Sequence, residues 1–387
     1  MRFRGNAGPE AGIRYSGEPC ERLEGALVAN HPRGIQKRRL PGKNLRESRY
    51  VIQARNIVLA SRPEGAPTLD NFRLETKRIR EPDRGEVLIR TLWLSLDPYM
   101  RGRMDAAKSY ADPVEVGGTM EAAGVGEVIA SNDDRFRAGD FVVGRTGWSS
   151  HAIVETRQCR KVDPDIAPVS TALGVLGMPG HTAWVGLNDI LAGRSGETVV
   201  VSAATGAVGS LVGQLAGRRG MRAVGVAGGV AKCAYAVEKL GYDVCLDHRD
   251  PDLSKRLEAV TPEGVDCYYE NVGGKTLEAV LPRMNDHGRI AVCGMIAWYS
   301  GEGVGDAMPL PRMWRTILVR KLRVRGFIVF EHMDRLGPFL REVGPLVRSG
   351  EIHYRETVAE GLENAPEAFL GLLEGGNFGK QLVRVGV

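Results

Sequence analysis

One stretch narrows the possible folds more than any other: Val199-Val-Val-Ser-Ala-Ala-Thr-Gly-Ala-Val-Gly-Ser-Leu-Val-Gly-Gln-Leu-Ala216. Three consecutive β-branched residues, Val199 to Val201, make a strand that needs cover on both faces, as in a parallel sheet. Ala204-x-Gly206-x-x-Gly209 then spells a variant of the glycine turn that links such a strand to a helix and cradles a dinucleotide pyrophosphate. Gly206, Ala207, Val208 and Gly209 are the expected phosphate contacts, and Ala204 replaces the first glycine. Alone, the string fits equally well a turn whose small residues serve only packing.

The flanking chain decides between these. Downstream, strand and helix patterns alternate: Arg222–Ala227, an amphipathic segment to Leu240, Tyr242–Leu246, Gly264–Tyr269, a helical Lys275–Leu281, Gly288–Cys293, and Val324–Phe330 as a last strand. This is the order of a doubly wound sheet. Upstream, Arg55–Ala60, Glu86–Leu96, Gly124–Ala130, Asp140–Gly144 and His151–Val154 are short strands punctuated by Gly and Pro, which predicts a compact barrel-like β domain. The tail returns to helix and strand and ends at Lys380–Val385.

Charge divides along the same lines. Residues 1–49 hold 11 Lys and Arg against 5 Asp and Glu, so the rest of the chain is nearly neutral and the basic balance belongs to the amino-terminal arm. That arm has no period of 2 or 3.6 and reads as a disordered basic extension. The folded body gives no reason to expect nucleic acid. Six scattered cysteines without a C-x-x-C pair argue against a disulfide framework or a cysteine-rich zinc lobe and suit a reducing cytoplasm, and no apolar run reaches membrane-span length.

The second strand of the doubly wound sheet ends at Ala227-Gly228-Gly229, where a carboxylate would hold a ribose 2′-hydroxyl. None is present, Gly228 leaves room, and Lys232 stands where it could neutralise an added phosphate. The residues therefore favour NADPH over NADH.

Beyond these, several strings in order resemble one family: Leu59-Ala-Ser-Arg-Pro-Glu-Gly-Ala-Pro-Thr68, Leu96-Asp-Pro-Tyr-Met-Arg-Gly-Arg-Met104, Gly174-Val-Leu-Gly-Met-Pro-Gly180, Glu270-Asn-Val-Gly-Gly274, Gly288-Arg-Ile-Ala-Val-Cys-Gly294 and Gly376-Asn-Phe-Gly-Lys380. From about residue 52 onward the chain resembles the zinc-independent branch of the medium-chain dehydrogenase/reductase superfamily, with its prostaglandin, alkenal double-bond and curcumin reductases. The resemblance implies an α/β fold of two parts, a GroES-like β-barrel-type substrate domain plus a Rossmann doubly wound parallel-sheet domain. The corresponding divisions are 50–176 for the first part of the substrate domain, 177–326 for the NADP-binding domain, and 327–387 for the return to the substrate domain. It also implies cofactor contacts from Asn271, from Cys293, Gly294, Met295, Ile296 and Tyr299, from Phe327, Ile328 and Val329, and from Asn377. Where relatives often carry a tyrosine near the 2′-phosphate, this chain has His248, with Arg249 beside it. A homodimer is implied too, and Arg289–Ile296, an apolar strand near the sheet edge, is the element expected to join it.

Zinc alcohol dehydrogenases supply metal ligands from a Cys and a Gly-His-Glu element. The matching stretches here read Ser95-Leu-Asp-Pro-Tyr99 and Gly118-Thr-Met-Glu-Ala122, so no metal is expected. Without a Lewis acid, conjugate reduction of an enone or enal is favoured over reduction of a ketone, because it asks only for a hydrogen bond at the carbonyl and a proton at the α-carbon. Tyr299 and Tyr99 are the catalytic candidates, each with the alternative of a packed aromatic. His181 is expected to bond locally at a helix start, and Cys293 to be a buried strand-end residue rather than a nucleophile. NADPH:quinone reduction, and a dinucleotide-binding module without turnover, remain open alternatives that an activity screen separates.

Overall fold

The computed structural model describes residues 52–386 except Lys108, so the extension at 1–49 lies outside the described residues. The amino-terminal strands are β1 (Ile52–Leu59), β2 (Phe72–Ile79), β3 (Glu86–Ser95), β4 (Gly124–Ser131), β5 (Phe141–Gly144), β6 (His151–Glu155) and β7 (Arg160–Lys161). The middle of the chain contributes β8 (Thr198–Ser202), β9 (Arg222–Ala227), β10 (Val244–Asp247), β11 (Val265–Glu270), β12 (Met284–Val292) and β13 (Arg323–Gly326), followed by β14 (Glu356–Glu360) and β15 (Lys380–Arg384). The helices used below are α1 (Met100–Arg103), α2 (Met178–Val185), α3 (Gly209–Arg218), α4 (Val230–Glu238), α5 (Leu253–Val260), α6 (Gly274–Val280), α7 (Leu310–Arg320), α8 (Leu336–Arg348) and α9 (Ala365–Leu373).

The three valines do what their branching dictates. Strand β8 is buried along its whole length and lies inside a six-stranded parallel sheet of order β10-β9-β8-β11-β12-β13. Val199 and Val201 pack on one side with Leu211, Leu215 and Tyr269, and Val200 on the other with Val224, Leu257 and Tyr268. Two cores, one per sheet face, are the consequence.

The second sheet runs β14-β15-β3-β4-β5-β7, with β6 also paired to β3 and the β1–β2 hairpin lying beside it. Its core stacks Trp148 on Phe72 at 5.5 Å, with Phe369 edge-on to both. Strand β2 carries no apolar alternation in Phe-Arg-Leu-Glu-Thr-Lys-Arg-Ile because it exposes most of its residues, so pattern alone does not predict it.

Two expectations change. The stretch Val324–Phe330 is not all strand: β13 ends at Gly326, and Phe327 and Val329 turn inward. Phe327, Val329, Phe339, Val343, Val347 and Ile352 all pack with the parallel-sheet core, so the chain stays there through Ile352 and rejoins the barrel sheet at β14. Arg289–Ile296 is likewise not all strand: β12 ends at Val292 and lies one strand in from the edge, hydrogen-bonded to β11 and β13. The edge is β13.

Candidate active site

The turn between β8 and α3 begins with Ala203 at φ 49°. A Cβ at Gly209 would lie 2.3 Å from the Ala203 carbonyl oxygen, so only glycine allows the helix to start this close to the strand. The Gly206 N–H donates to Ala203 O at 2.9 Å, and Gly206 forms a parallel bridge with Gly379. That bridge brings the carboxy-terminal loop onto the glycine turn. On this loop the Asn377 side chain donates to Gly379 O at 2.7 Å, which fixes its amide within the loop. Ala207 and Val208 complete the turn.

At one end of the turn lies a cationic corner. A Cβ on Gly228 would stand 2.9 Å from His248 Nε2 and 3.6 Å from an Arg249 terminal nitrogen, so the missing side chain is what leaves the corner open. Lys232 Nζ donates to Gly375 O at 2.8 Å. Burial, and then Arg249, push Lys232 below its usual range. Burial also lowers His248, Asp247 partly restores it, and Arg249 and Lys232 depress it again. Three mutually repelling donors gathered here are chemically suited to a phosphate, which relieves the repulsion.

The other end holds no cation among its described hydrogen-bond partners. Asn271 follows β11; its backbone N–H donates to Ser202 Oγ and its side-chain amide to Ser202 O, each at 2.7 Å. Cys293 and Gly294 leave β12 with their N–H groups on Glu270 O at 2.9 and 3.1 Å. Ile296 N–H donates to Asn271 O at 3.4 Å, so the 293–299 loop is tied to the 270–272 turn. Tyr299 closes this loop: its hydroxyl oxygen accepts from Met295 N–H at 3.3 Å. Burial raises the Tyr299 pKa, and nearby Cys293 and Tyr110 add to it, so the phenol keeps its proton at neutral pH. Burial drives the Cys293 thiol up to about 12, which leaves it inert as a nucleophile. Phe327 and Val329 are buried in the parallel-sheet core beside half-buried Ile328.

The barrel domain faces this loop with an aromatic–arginine cluster. Tyr99 precedes α1, and the Arg103 guanidinium lies 5.5 Å from the Tyr99 ring and 4.3 Å from that of Tyr110. Arg103 Nε is 3.5 Å from Glu121, which also pairs with Arg145 at 3.1 Å. Burial lifts Tyr99 well above its usual value, with Asp97 and Glu121 adding to it. Asp97 itself is buried against Lys380 at 3.0 Å, so strand β15 pins the loop that carries Tyr99. The two acids in the stretches compared with zinc ligands, Asp97 and Glu121, are thus both engaged by cations. Among the described residues, no group of three or more His, Cys, Asp and Glu side chains gathers to hold a metal.

Arg103, Tyr110, Glu121 and Lys380 were not among the sequence candidates. Lys380 had a readable signal, a lysine opening an otherwise apolar strand, which must find a buried partner. Tyr110 had none, since its loop has no period. His181 departs from its expectation: it is 2% exposed, stacks on Phe339 at 5.6 Å, and its Nε2 has no partner among the described residues. Burial, helped by His332, holds it near 4, so it packs as a neutral ring against Phe339.

Comparison with known proteins identifies the fold's family. Residues 55–162 match a family described as the N-terminal domain of oxidoreductase, and residues 207–342 one described as zinc-binding dehydrogenase. An NADPH-dependent curcumin reductase of Escherichia coli (strain K12) is 48% identical over 333 residues, 86% of this chain and 96% of that protein. A 2-alkenal reductase (NADP(+)-dependent) of Nicotiana tabacum is 39% identical over 343 residues, covering 86% and 98%. The crystal structure of CurA from Vibrio vulnificus in complex with NADPH superposes with a TM-score of 0.82 at 45% identity, covering 86% of this chain and 99% of that one. From its barrel strands through its parallel sheet to its returning strand, the chain belongs to the zinc-independent medium-chain dehydrogenase/reductase family.

Proposed function

We infer that this protein is an NADPH-dependent reductase of the C=C bond of α,β-unsaturated aldehydes and ketones. The observation that carries the reading is Tyr299: a half-buried phenol kept protonated, at the head of a loop tied to Asn271 and facing the Tyr99–Arg103–Tyr110 cluster. The relatives' names, a curcumin reductase and a 2-alkenal reductase, support the substrate class.

The residues present fit the dinucleotide. Gly206 to Gly209 would hold the pyrophosphate at the start of α3, and Lys232, His248 and Arg249 the 2′-phosphate. Asn271, the 293–299 loop, Phe327 to Val329 and Asn377 would line the nicotinamide. When bound, NADPH would supply a hydride to the substrate β-carbon, and the resulting enolate takes a proton from water at the α-carbon to give the saturated carbonyl. Tyr299 donates a hydrogen bond to the carbonyl oxygen as negative charge develops there, and its raised pKa keeps the proton available for that bond. Tyr99 and Tyr110 give the substrate an aromatic wall, and Arg103 fixes both rings. Buried Arg103 and half-buried Tyr99 lower the local dielectric, which strengthens a single neutral hydrogen bond.

The working form is a homodimer joined at β13. That strand leaves one edge without a partner among the described residues, and beside it α7 exposes Leu310, Trp314 and Leu318. A second copy related by a two-fold axis would satisfy the strand edge and cover the apolar helix face. Trp314→Asp should convert a dimer to a monomer in sedimentation; an unchanged mass would remove this interface. The cytoplasm is the fitting compartment, where Cys159, Cys233, Cys245, Cys267 and Cys293 remain thiols, as they are in the structure.

A turnover screen of NADPH and NADH against enals, enones and quinones tests the whole reading. NADPH oxidation with enones and enals, and little with quinones, is the expected result. The reverse preference, or tight NADPH binding without turnover, would replace it.

A further inference from the structure

Glu270, the last residue of β11, is 3% exposed and has no cationic partner among the described residues. Its carboxylate is surrounded by donors instead. Oε1 accepts from Val272 N–H at 2.7 Å, from Gly273 N–H at 2.9 Å and from Ser202 Oγ at 2.9 Å, and Oε2 accepts from the Tyr268 hydroxyl at 2.8 Å. Burial raises the pKa of this group, and the four donors pull it back down. A carboxylate without a counter-ion is an expensive choice for a buried position, and a neutral side chain of the same size would avoid the cost. What the charge gains is four-fold acceptance: a glutamine would turn an NH₂ toward donors that already point at it.

Two of these donors, the Val272 and Gly273 N–H groups, belong to the turn from which the substrate-side loop hangs. Val272 O accepts from Ala297 N–H at 3.0 Å, Asn271 O from Ile296 N–H, and Glu270 O from Cys293 and Gly294. Gly273, at φ +80°, leaves the space that the Trp298 ring fills; a Cβ there would come within 2.6 Å of the ring. Gly294 in turn lies beside Tyr299, where an added Cβ would meet the hydroxyl at 3.2 Å. The path from carboxylate to phenol is therefore continuous: Glu270, the 271–273 turn, Ala297 and Trp298, Tyr299.

We propose that Glu270 is a positioning residue for the reduction, holding the 293–299 loop so that the Tyr299 hydroxyl stays at the substrate. This rests on the role given to Tyr299 above. Toward the cofactor Glu270 reaches only Ser202, on β8 ahead of the glycine turn, and nothing in the cationic corner, so its effect should fall more on catalysis than on the phosphate contacts that set cofactor affinity.

The test uses Glu270→Gln in the full-length protein, read by hydrogen exchange of peptides spanning 293–300 and 209–218, and by steady-state kinetics. The expected result is faster exchange confined to 293–300, a kcat lowered about 10-fold, as loss of one charge-assisted hydrogen bond implies, and an NADPH Kd changed less than about 3-fold. Unchanged exchange at 293–300, or equal loosening at 209–218, would overturn the proposal. If Glu270→Gln does not fold, Tyr268→Phe removes only the Oε2 donor and is read in the same way, with a smaller rise in exchange at 293–300 expected and no rise overturning it. Because exchange reports the loop directly, the outcome does not depend on the kinetics of Tyr299→Phe, which test the phenol's role separately.

Discussion

The two ends of the site are built from opposite materials. The 228–249 corner gathers Lys232, His248 and Arg249 with no side chain on Gly228 between them. The 270–299 end places no cation among the hydrogen-bond partners described for it; it has a buried carboxylate beneath and a protonated tyrosine above. The first is made to bind an anion that is charged before, during and after the reaction, which is uniform binding and sets affinity. The second is made to meet charge that appears only in the transition state. A chain that must hold a phosphorylated dinucleotide tightly and still release product separates these tasks by distance.

Four substitutions would break or sharpen that contrast. Tyr299→Phe should lower kcat on the order of 100-fold, the usual cost of removing a donor to a developing oxyanion, while the NADPH Kd stays within error; stopped-flow turnover with an enone measures both. Gly209→Ala belongs to neither end. Its Cβ would be forced 2.3 Å from Ala203 O, so the turn must shift, and NADPH and NADH binding should both weaken by about 50-fold in titration calorimetry. Lys232→Ala should raise the KM for NADPH by about 20-fold, the cost of one charge-assisted hydrogen bond, and leave the KM for NADH and kcat unchanged.

The smallest effect is the pH dependence of the corner. His248 sits below its usual 6.5 in the free protein and is neutral at pH 7, with Asp247, Lys232 and Arg249 as its charged neighbours. A bound phosphate favours the imidazolium, so NADPH binding takes up a proton and tightens as pH falls from 8 to 6.5. His248→Asn should remove this slope, a change of about 2- to 3-fold in Kd at the acid end, and the NADH Kd should be flat in both proteins.

Sequence and structure meet unevenly across the site. Backbone-defined parts were legible because their chemistry is local: the valine strand, the glycine turn and the missing acid at Ala227-Gly228 all lie within one βαβ unit. Asn271 and the 293–299 loop became candidates only through matching strings, since nothing in their own spacing declares a role. Arg103, Tyr110 and Glu121 meet through irregular loop contacts, and Glu270 reaches back 68 residues to Ser202, in contacts that no periodicity records. The position of β12, one strand in from the edge, follows from a simpler rule. Apolar content marks a strand as buried, and the strand at an edge is the less apolar one: β12 is interior and β13, Arg323–Gly326, is exposed throughout.

The central claim is that the hydride goes to carbon rather than to a carbonyl. It is tested most directly by one turnover of an enal with NADPH deuterated at the transferred position, followed by NMR of the product. The account predicts a saturated aldehyde carrying deuterium at the β-carbon. An allylic alcohol carrying deuterium on the carbinol carbon would contradict it.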